Sequence, residues 1–296
     1  MPGEPEAPAA TWTHHRRLAG IRRRSRTADI ALDTIEAYSL HRTGRNAALL
    51  SHHAFLSVFP LVLVMTTVLG YLLENNPTLQ EDIVDSALAQ LPIIGQQIAT
   101  DPARLTGNFL VLVLGLLTSL WAGMRAFVDV QKALDDIAEV PHERRPHIAK
   151  SRVRAMLGIL VIGGAQVITA TLTSLVGVAG IPGISKVLLA LSAVVINAAV
   201  LATTFRWMCS EHPGWRAVRP GALVGGVIFA GLQLFGTTVV QRAIANASPV
   251  YGTFATVIGL ITWLSLHSIV ALLCAELNWT LQRRRATSRP TPALHM

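Results

Sequence analysis

Charge is scarce in this sequence. Only 14% of its residues are Asp, Glu, Lys or Arg, against about 25% in an ordinary soluble domain. Between Arg45 and Glu74 there is none at all. That deficit excludes a typical soluble fold and points to a membrane. Cysteine is nearly absent. Cys209 and Cys274 are too few for a disulfide framework and read as small buried thiols. No GxxxxGK[ST] phosphate loop is present, which excludes ATP hydrolysis by that route. No HExxH and no Cys/His cluster at zinc spacing occurs. No acidic cluster lies where two metal ions of a nuclease would sit. The reading is therefore of a non-enzyme with no cofactor and no metal. No apolar h-region follows the basic N-terminus directly, so the first spanning helix is expected to act as an uncleaved insertion signal.

The run Asn46–Leu73 organises what is present. A spanning helix needs about 20 mostly apolar residues, and this run exceeds that. Pro60 sits near its middle and frees the carbonyl of Leu56. That carbonyl needs a partner in hydrocarbon, from Ser57 or from a neighbouring helix. The expectation is a helix kinked at Ser57 and Pro60, packed inside a bundle.

Charge-free windows predict six spans, at about 46–73, 106–128, 156–178, 186–206, 220–241 and 252–275. The third is the least hydrophobic, but Met156–Val178 meets the length rule. With the N-terminus in the cytosol, 21 of the 25 Lys and Arg residues fall on the cytosolic side, as the positive-inside rule requires. The fold class is an all-α membrane protein: six transmembrane helices, N- and C-termini cytosolic, with interfacial amphipathic helices. Residues 1–26 are expected to be a disordered basic tail, 27–282 a single transmembrane domain, and 283–296 a second disordered basic tail. Within the domain, Thr27–Ser39 reads as an interfacial helix with Asp29, Asp33 and Glu36 opposite its apolar face. Residues 77–91 read as an outer-loop helix that lies on the outer leaflet or caps the bundle. Gly180, Pro182 and Gly183 predict a tight turn between spans three and four. The second helix is expected to run through Ala138 and stop before Pro141. The arginines from Arg16 to Arg26 favour topology and anionic lipid headgroups over nucleic acid.

Several spans carry one polar side chain near mid-depth: Gln166, Asn197, Gln233 and His267. His52 and His53 lie shallower. Such groups avoid lipid. They read either as interhelical hydrogen bonds or as a polar path for a substrate. His52, His53 and His267 have no carboxylate nearby in sequence, so a metal site is not expected. Arg125 and Asp129, at i and i+4, are expected to form a cytosolic-end charge cluster with Glu276, acting as a clamp, a headgroup contact or a gate. Gly221, Gly225 and Gly226 form a small-residue ridge for close helix approach.

The segments AFLSVFPLVLV (54–64), LWAGMRAFVDVQKALDDI (120–137), RPGALVGGVIF (219–229) and YGTFATVIGLITWLSLHSIVALLCAELN (251–278) resemble the YihY/BrkB family, including its YhjD-like branch. Ser57 and Pro60 match its Ser-x-x-Pro. Tyr251, Gly252, Trp263, Glu276 and Asn278 match its final YG…W…AELN pattern. The resemblance implies a six-helix bacterial inner-membrane protein linked to envelope integrity, with lipid or solute export suggested for that branch. The family has also carried a ribonuclease BN label, for which these residues supply no catalytic group. Two readings of function follow. One is a transporter-like protein for lipids or amphiphiles, working passively, on an ion gradient or with a partner. The other is a non-transporting scaffold for envelope partners. Membrane lipids are expected partners, and a homo-oligomer or an envelope protein is a further one.

Overall fold

The computed structural model describes residues 25–73, 109–159, 184–251 and 253–287. The expected third span beyond residue 159, the outer-loop helix 77–91, the turn at Gly180–Gly183 and the outermost tails lie outside the described residues. Among the described residues every regular element is helical. They are α1 (Arg26–Leu40), α2 (Thr43–Leu73), α3 (Phe109–Ile137), a 3-10 turn (His142–Arg144), α4 (148–159), α5 (Ile184–Met208), α6 (Trp215–Tyr251) and α7 (Thr253–Thr287). Three stretches, Val113–Ile137, Leu191–Met208 and Val257–Thr287, are long and apolar enough to cross a membrane. They overlap the second, fourth and sixth expected windows.

The helices pack in the order α3, α2, α7, α6, α5, with α7 also touching α1 and α3. α1 starts at Ser25, whose hydroxyl accepts the Ala28 N–H, the arrangement of a helix N-cap. Its acidic face is not turned to solvent, as the amphipathic reading implied. Asp29 and Asp33 both pair with Arg284 of α7, and this strap fastens α1 along the end of the bundle.

α2 runs through Pro60 without interruption. Ser57 does not reach the Leu56 carbonyl. Its hydroxyl donates to the carbonyl of Ala54 at 2.7 Å, one turn back along its own helix. α3 ends where expected, before Pro141. Two helix ends differ from expectation. α6 continues past residue 241 to Tyr251, because a charge such as Arg242 marks the edge of the apolar run and not the end of hydrogen bonding. α7 continues through Thr287, into the basic tail expected to be disordered from residue 283. Arg283 and Arg284 are tied to Glu139, Asp29 and Asp33, and basic residues suit a helix C-terminus.

The apolar core gathers near one end of the bundle, where α3 and α5 finish, α6 begins and α7 crosses them. Leu134, Ile137, Phe205, Met208, Val218 and Leu272 are buried there. The ridge on α6 serves two neighbours. A Cβ on Gly221 would strike the Cys274 carbonyl of α7, and one on Gly226 would lie 2.7 Å from the Val194 carbonyl of α5. Glycine is what lets both helices approach α6 this closely.

Candidate functional site

That same end holds a buried polar network centred on Glu276. Its side chain is 0% exposed. A buried carboxylate is costly unless donors surround it. Thr43, at the start of α2, donates its hydroxyl to Glu276 at 2.5 Å. His41 Nδ1 lies 3.0 Å from both carboxylate oxygens. The link between α1 and α2 puts His41 there: its N–H closes on the Ala37 carbonyl at 2.9 Å, and Arg42 takes a left-handed φ of 52° that turns the chain into α2.

The other imidazole nitrogen, Nε2, meets Glu139 at 3.1 Å. Glu139 also has φ 52° and closes the end of α3. Its N–H donates to the Asp136 carbonyl and the Val140 N–H to the Asp135 carbonyl, at 3.1 and 2.9 Å. This is a Schellman end, a position usually given to glycine. A glutamate there presents its carboxylate to both His41 and Arg283. Burial would raise the Glu139 pKa, but Arg283 and His41 hold it below the usual carboxylate range. The His41 pKa is raised, first by the hydrogen bond to Glu276, against the opposing effect of burial, with the charges of Glu276 and Glu139 adding to the rise. Burial, and then the charge of Glu276, push the Tyr38 phenol up.

As imidazolium, His41 donates from both nitrogens and bridges two carboxylates. Since its pKa in the fold lies above the ordinary value of 6.5, the stability it adds is complete below about pH 6.5 and is lost as pH rises through the raised value. The thermal midpoint of detergent-solubilised protein is therefore expected to fall by about 2–4 °C on going from pH 6 to pH 9, the size that about 1 kcal/mol gives in a chain this long. His41→Asn should flatten this segment of the profile. An identical slope in the variant would remove His41 from the account.

Three further ties surround this centre. Asp135, buried, accepts the Ser210 N–H at 2.8 Å and its hydroxyl at 2.7 Å, joining α3 to the end of α5. Asp136 accepts from Asn46 at 3.1 Å and pairs with Arg145 at 2.8 Å. Ser151 donates its hydroxyl to Gln131 at 2.7 Å, and the Gln131 amide returns a bond to the Ser151 carbonyl at 3.0 Å. Cys209 is buried among these groups, and burial pushes its thiol up to about 11, which leaves it unreactive in the fold.

Of the residues singled out in sequence, Glu276 lies at this centre, but Arg125 and Asp129 do not join it. Asp129 faces α2 and pairs with His53. The Arg125 guanidinium lies 4.7 Å from the ring centre of Trp121, one turn back on its own helix. The i, i+4 spacing permits an ion pair, but each side chain has a partner better placed by the packing. His52 is exposed, with its ring 5.7 Å from that of His53. Asn197 donates to Gln233 at 3.2 Å, across α5 and α6. His267 Nδ1–H donates to the Trp263 carbonyl at 2.9 Å, and its ring packs against Phe229 and Trp263. Ser265 and Ser51 join α7 to α2 at 3.1 Å. Gln166 lies outside the described residues. His53 and the Asn197–Gln233 couple thus sit in two separate interhelical contacts, and His267 bonds within its own helix. Among the described residues no three His, Cys, Asp or Glu side chains gather as metal ligands would.

His41, Thr43, Asp135 and Glu139 belong to this network although no sequence motif singles them out. One signal was available. His41 and Thr43 are polar and sit within a few residues of the first apolar window, where a carboxylate sunk in a helix end must find its donors.

Apolar helices of membrane-crossing length, packed around a polar centre, define a helical membrane protein. The family model described as virulence factor BrkB matches residues 34–295, and the chain belongs to that family, also written BrkB/YihY. An uncharacterized protein of Dickeya dadantii (strain 3937) is 27% identical over 249 residues, covering 77% of this chain and 75% of that protein. The ribonuclease-like protein YfkH of Bacillus subtilis (strain 168) is 24% identical, covering 86% of this chain and 96% of YfkH. The UPF0761 membrane protein PSHAa0171 of Pseudoalteromonas translucida (strain TAC 125) is 32% identical over 41% of each chain. No solved structure matches the chain.

Proposed function

We propose that this membrane protein crosses the bacterial inner membrane six times, with both termini in the cytosol, and moves lipids or amphiphilic solutes in support of envelope integrity. It is read as a non-enzyme that needs no cofactor. The His53–Asp129 pair carries this reading. An imidazole and a carboxylate here join two apolar helices through a polar contact. Titratable groups within membrane helices mark proton relays and substrate pathways. The Asn197–Gln233 pair adds an uncharged polar contact on the other side of α7. The basic cytosolic segments favour anionic headgroups.

The test is lipid movement in proteoliposomes, using fluorescent phospholipids and an outer-leaflet quencher, with and without a pH gradient. Empty liposomes and an unrelated six-helix protein serve as controls. Quenching is expected to pass half the signal faster than in the controls. Asp129→Asn is expected to return the rate to that of empty liposomes while the protein stays folded. No acceleration under either condition would sink the lipid-moving reading and shift weight to the scaffold, for which cross-linking at the outer loop 77–91 is the next measurement.

A further inference from the structure

We infer that the outward face of α3 holds the headgroup of an anionic phospholipid at Arg125 and Lys132. Leu114, Thr118, Trp121, Arg125 and Lys132 are all exposed. Separations of three, four and seven residues put them in one line along the helix. The line begins apolar, passes an indole and ends in two cations. Leu114 is 54% and Trp121 56% exposed. Both cations fall within Val113–Ile137, a stretch long and apolar enough to cross a membrane. A cation there is costly unless it reaches an anion or the aqueous interface, and long basic side chains run along the helix surface to do so.

The helix sorts its charges by side. Its carboxylates take partners from the rest of the protein: Asp129 pairs with His53, Asp135 accepts from Ser210, and Asp136 accepts from Asn46 and pairs with Arg145. Arg125 and Lys132 make no ion pair among the described residues. The Arg125 guanidinium lies 4.7 Å from the ring centre of Trp121. That contact covers one face of the planar cation and leaves the N–H donors on its edge for a phosphate. Seven residues of helix set the two Cα atoms about 10 Å apart, a distance that one headgroup and two long side chains cover. Two cations on one face, with the neighbouring carboxylates already engaged, favour a net-negative head over a zwitterionic one, whose ammonium would meet like charge. Trp121 suits the boundary between head and chains, and Leu114 lies beyond it, alongside the acyl chain. The site rests on the membrane-crossing placement of α3 proposed above, and not on any movement of lipid.

The test is lipid retention by the full-length protein, read by native mass spectrometry from micelles that hold equal amounts of dioleoyl phosphatidylglycerol and dioleoyl phosphatidylcholine. Wild type is expected to retain phosphatidylglycerol about 10- to 30-fold over phosphatidylcholine. Lys132→Gln should cut that preference about 5-fold, and Arg125→Gln/Lys132→Gln should abolish it. Both side chains are exposed, so the variants should fold, as their melting temperatures will show. Arg216→Gln/Arg219→Gln removes two exposed cations at the start of α6 and should keep the wild-type preference. Equal retention of the two lipids by wild type, an unchanged preference in the α3 pair, or an equal loss in the α6 pair would each overturn the site. Retention is read without any lipid crossing the bilayer. Selective retention, lost in the α3 pair, by a protein that moves no lipid in proteoliposomes would therefore uphold this site while sinking the lipid-moving reading.

Discussion

Glu276→Ala is expected to lower the stability of the folded protein by about 3–5 kcal/mol, the usual result of removing one partner from a buried, charge-assisted pair. The carboxylate is fully enclosed and takes donors from two sides, the Thr43 hydroxyl and His41. Alanine would leave the Thr43 hydroxyl without its acceptor and His41 facing an empty volume with only Glu139 beside it. The damage would spread, since His41 sits on the link that aims α2 and also meets Glu139, which holds Arg283. Glu276→Gln should cost less, about 1–3 kcal/mol. Its Oε1 still accepts from Thr43, but its amide N–H₂ opposes a protonated His41. The measurement uses the protein's own thiols. Cys209 and Cys274 are both buried, so a thiol-reactive dye in detergent reports unfolding on heating. A Glu276→Ala midpoint equal to wild type would show that the network adds nothing to stability. The His41→Ala/Glu276→Ala cycle should be strongly non-additive, because the two side chains share one contact.

How far the sequence reaches can be seen in particular helices. The apolar runs of α2, α3, α5 and α7 were legible because placing charge in hydrocarbon is costly at every position along a helix, which leaves a one-dimensional mark. The stop of α3 before Pro141 was legible because proline cannot continue the hydrogen-bond ladder. The small-residue ridge at Gly221, Gly225 and Gly226 showed that helices meet there, though not that α5 and α7 lie on opposite flanks. Glu276 stood out as a charge at the end of an apolar helix. Its partners did not, because Thr43 and His41 lie 233 and 235 residues away, and no local spacing encodes such a contact. The pairing of Arg125 with Asp129 failed for a related reason. Spacing along one helix says which residues share a face, but only packing says that this face meets His53. The extensions of α6 and α7 were missed because charge reports depth in a membrane, whereas helix ends are set by capping and by partners such as Asp29 and Asp33.

One substitution, glycine to alanine, is expected to have opposite signs at two places on α6. At Gly221 an added Cβ would overlap the backbone carbonyl of Cys274 and sit 2.7 Å from the Asn278 amide nitrogen. A carbonyl in the middle of α7 cannot swing aside as a side-chain tip can. Asn278 is also held, because it accepts the Gly221 N–H. The helices would have to separate, losing contacts around Ala222, Leu272 and Ala275 in the core. Gly221→Ala should therefore cost about 1–3 kcal/mol, the usual range for overpacking. Gly221→Leu should exceed it and leave little folded protein to extract. At Gly231, ten positions along the same helix, an added Cβ meets nothing within 4 Å. Only the backbone then responds, and Gly231→Ala should stabilise by about 0.5–1 kcal/mol, as the unfolded chain loses conformational freedom and the helix gains a better former. The two variants measured side by side, by dye-monitored melting in one detergent, test the close approach of α6 and α7 without assuming anything about function. Equal midpoints for Gly221→Ala and Gly231→Ala would mean that the helices do not meet at Gly221.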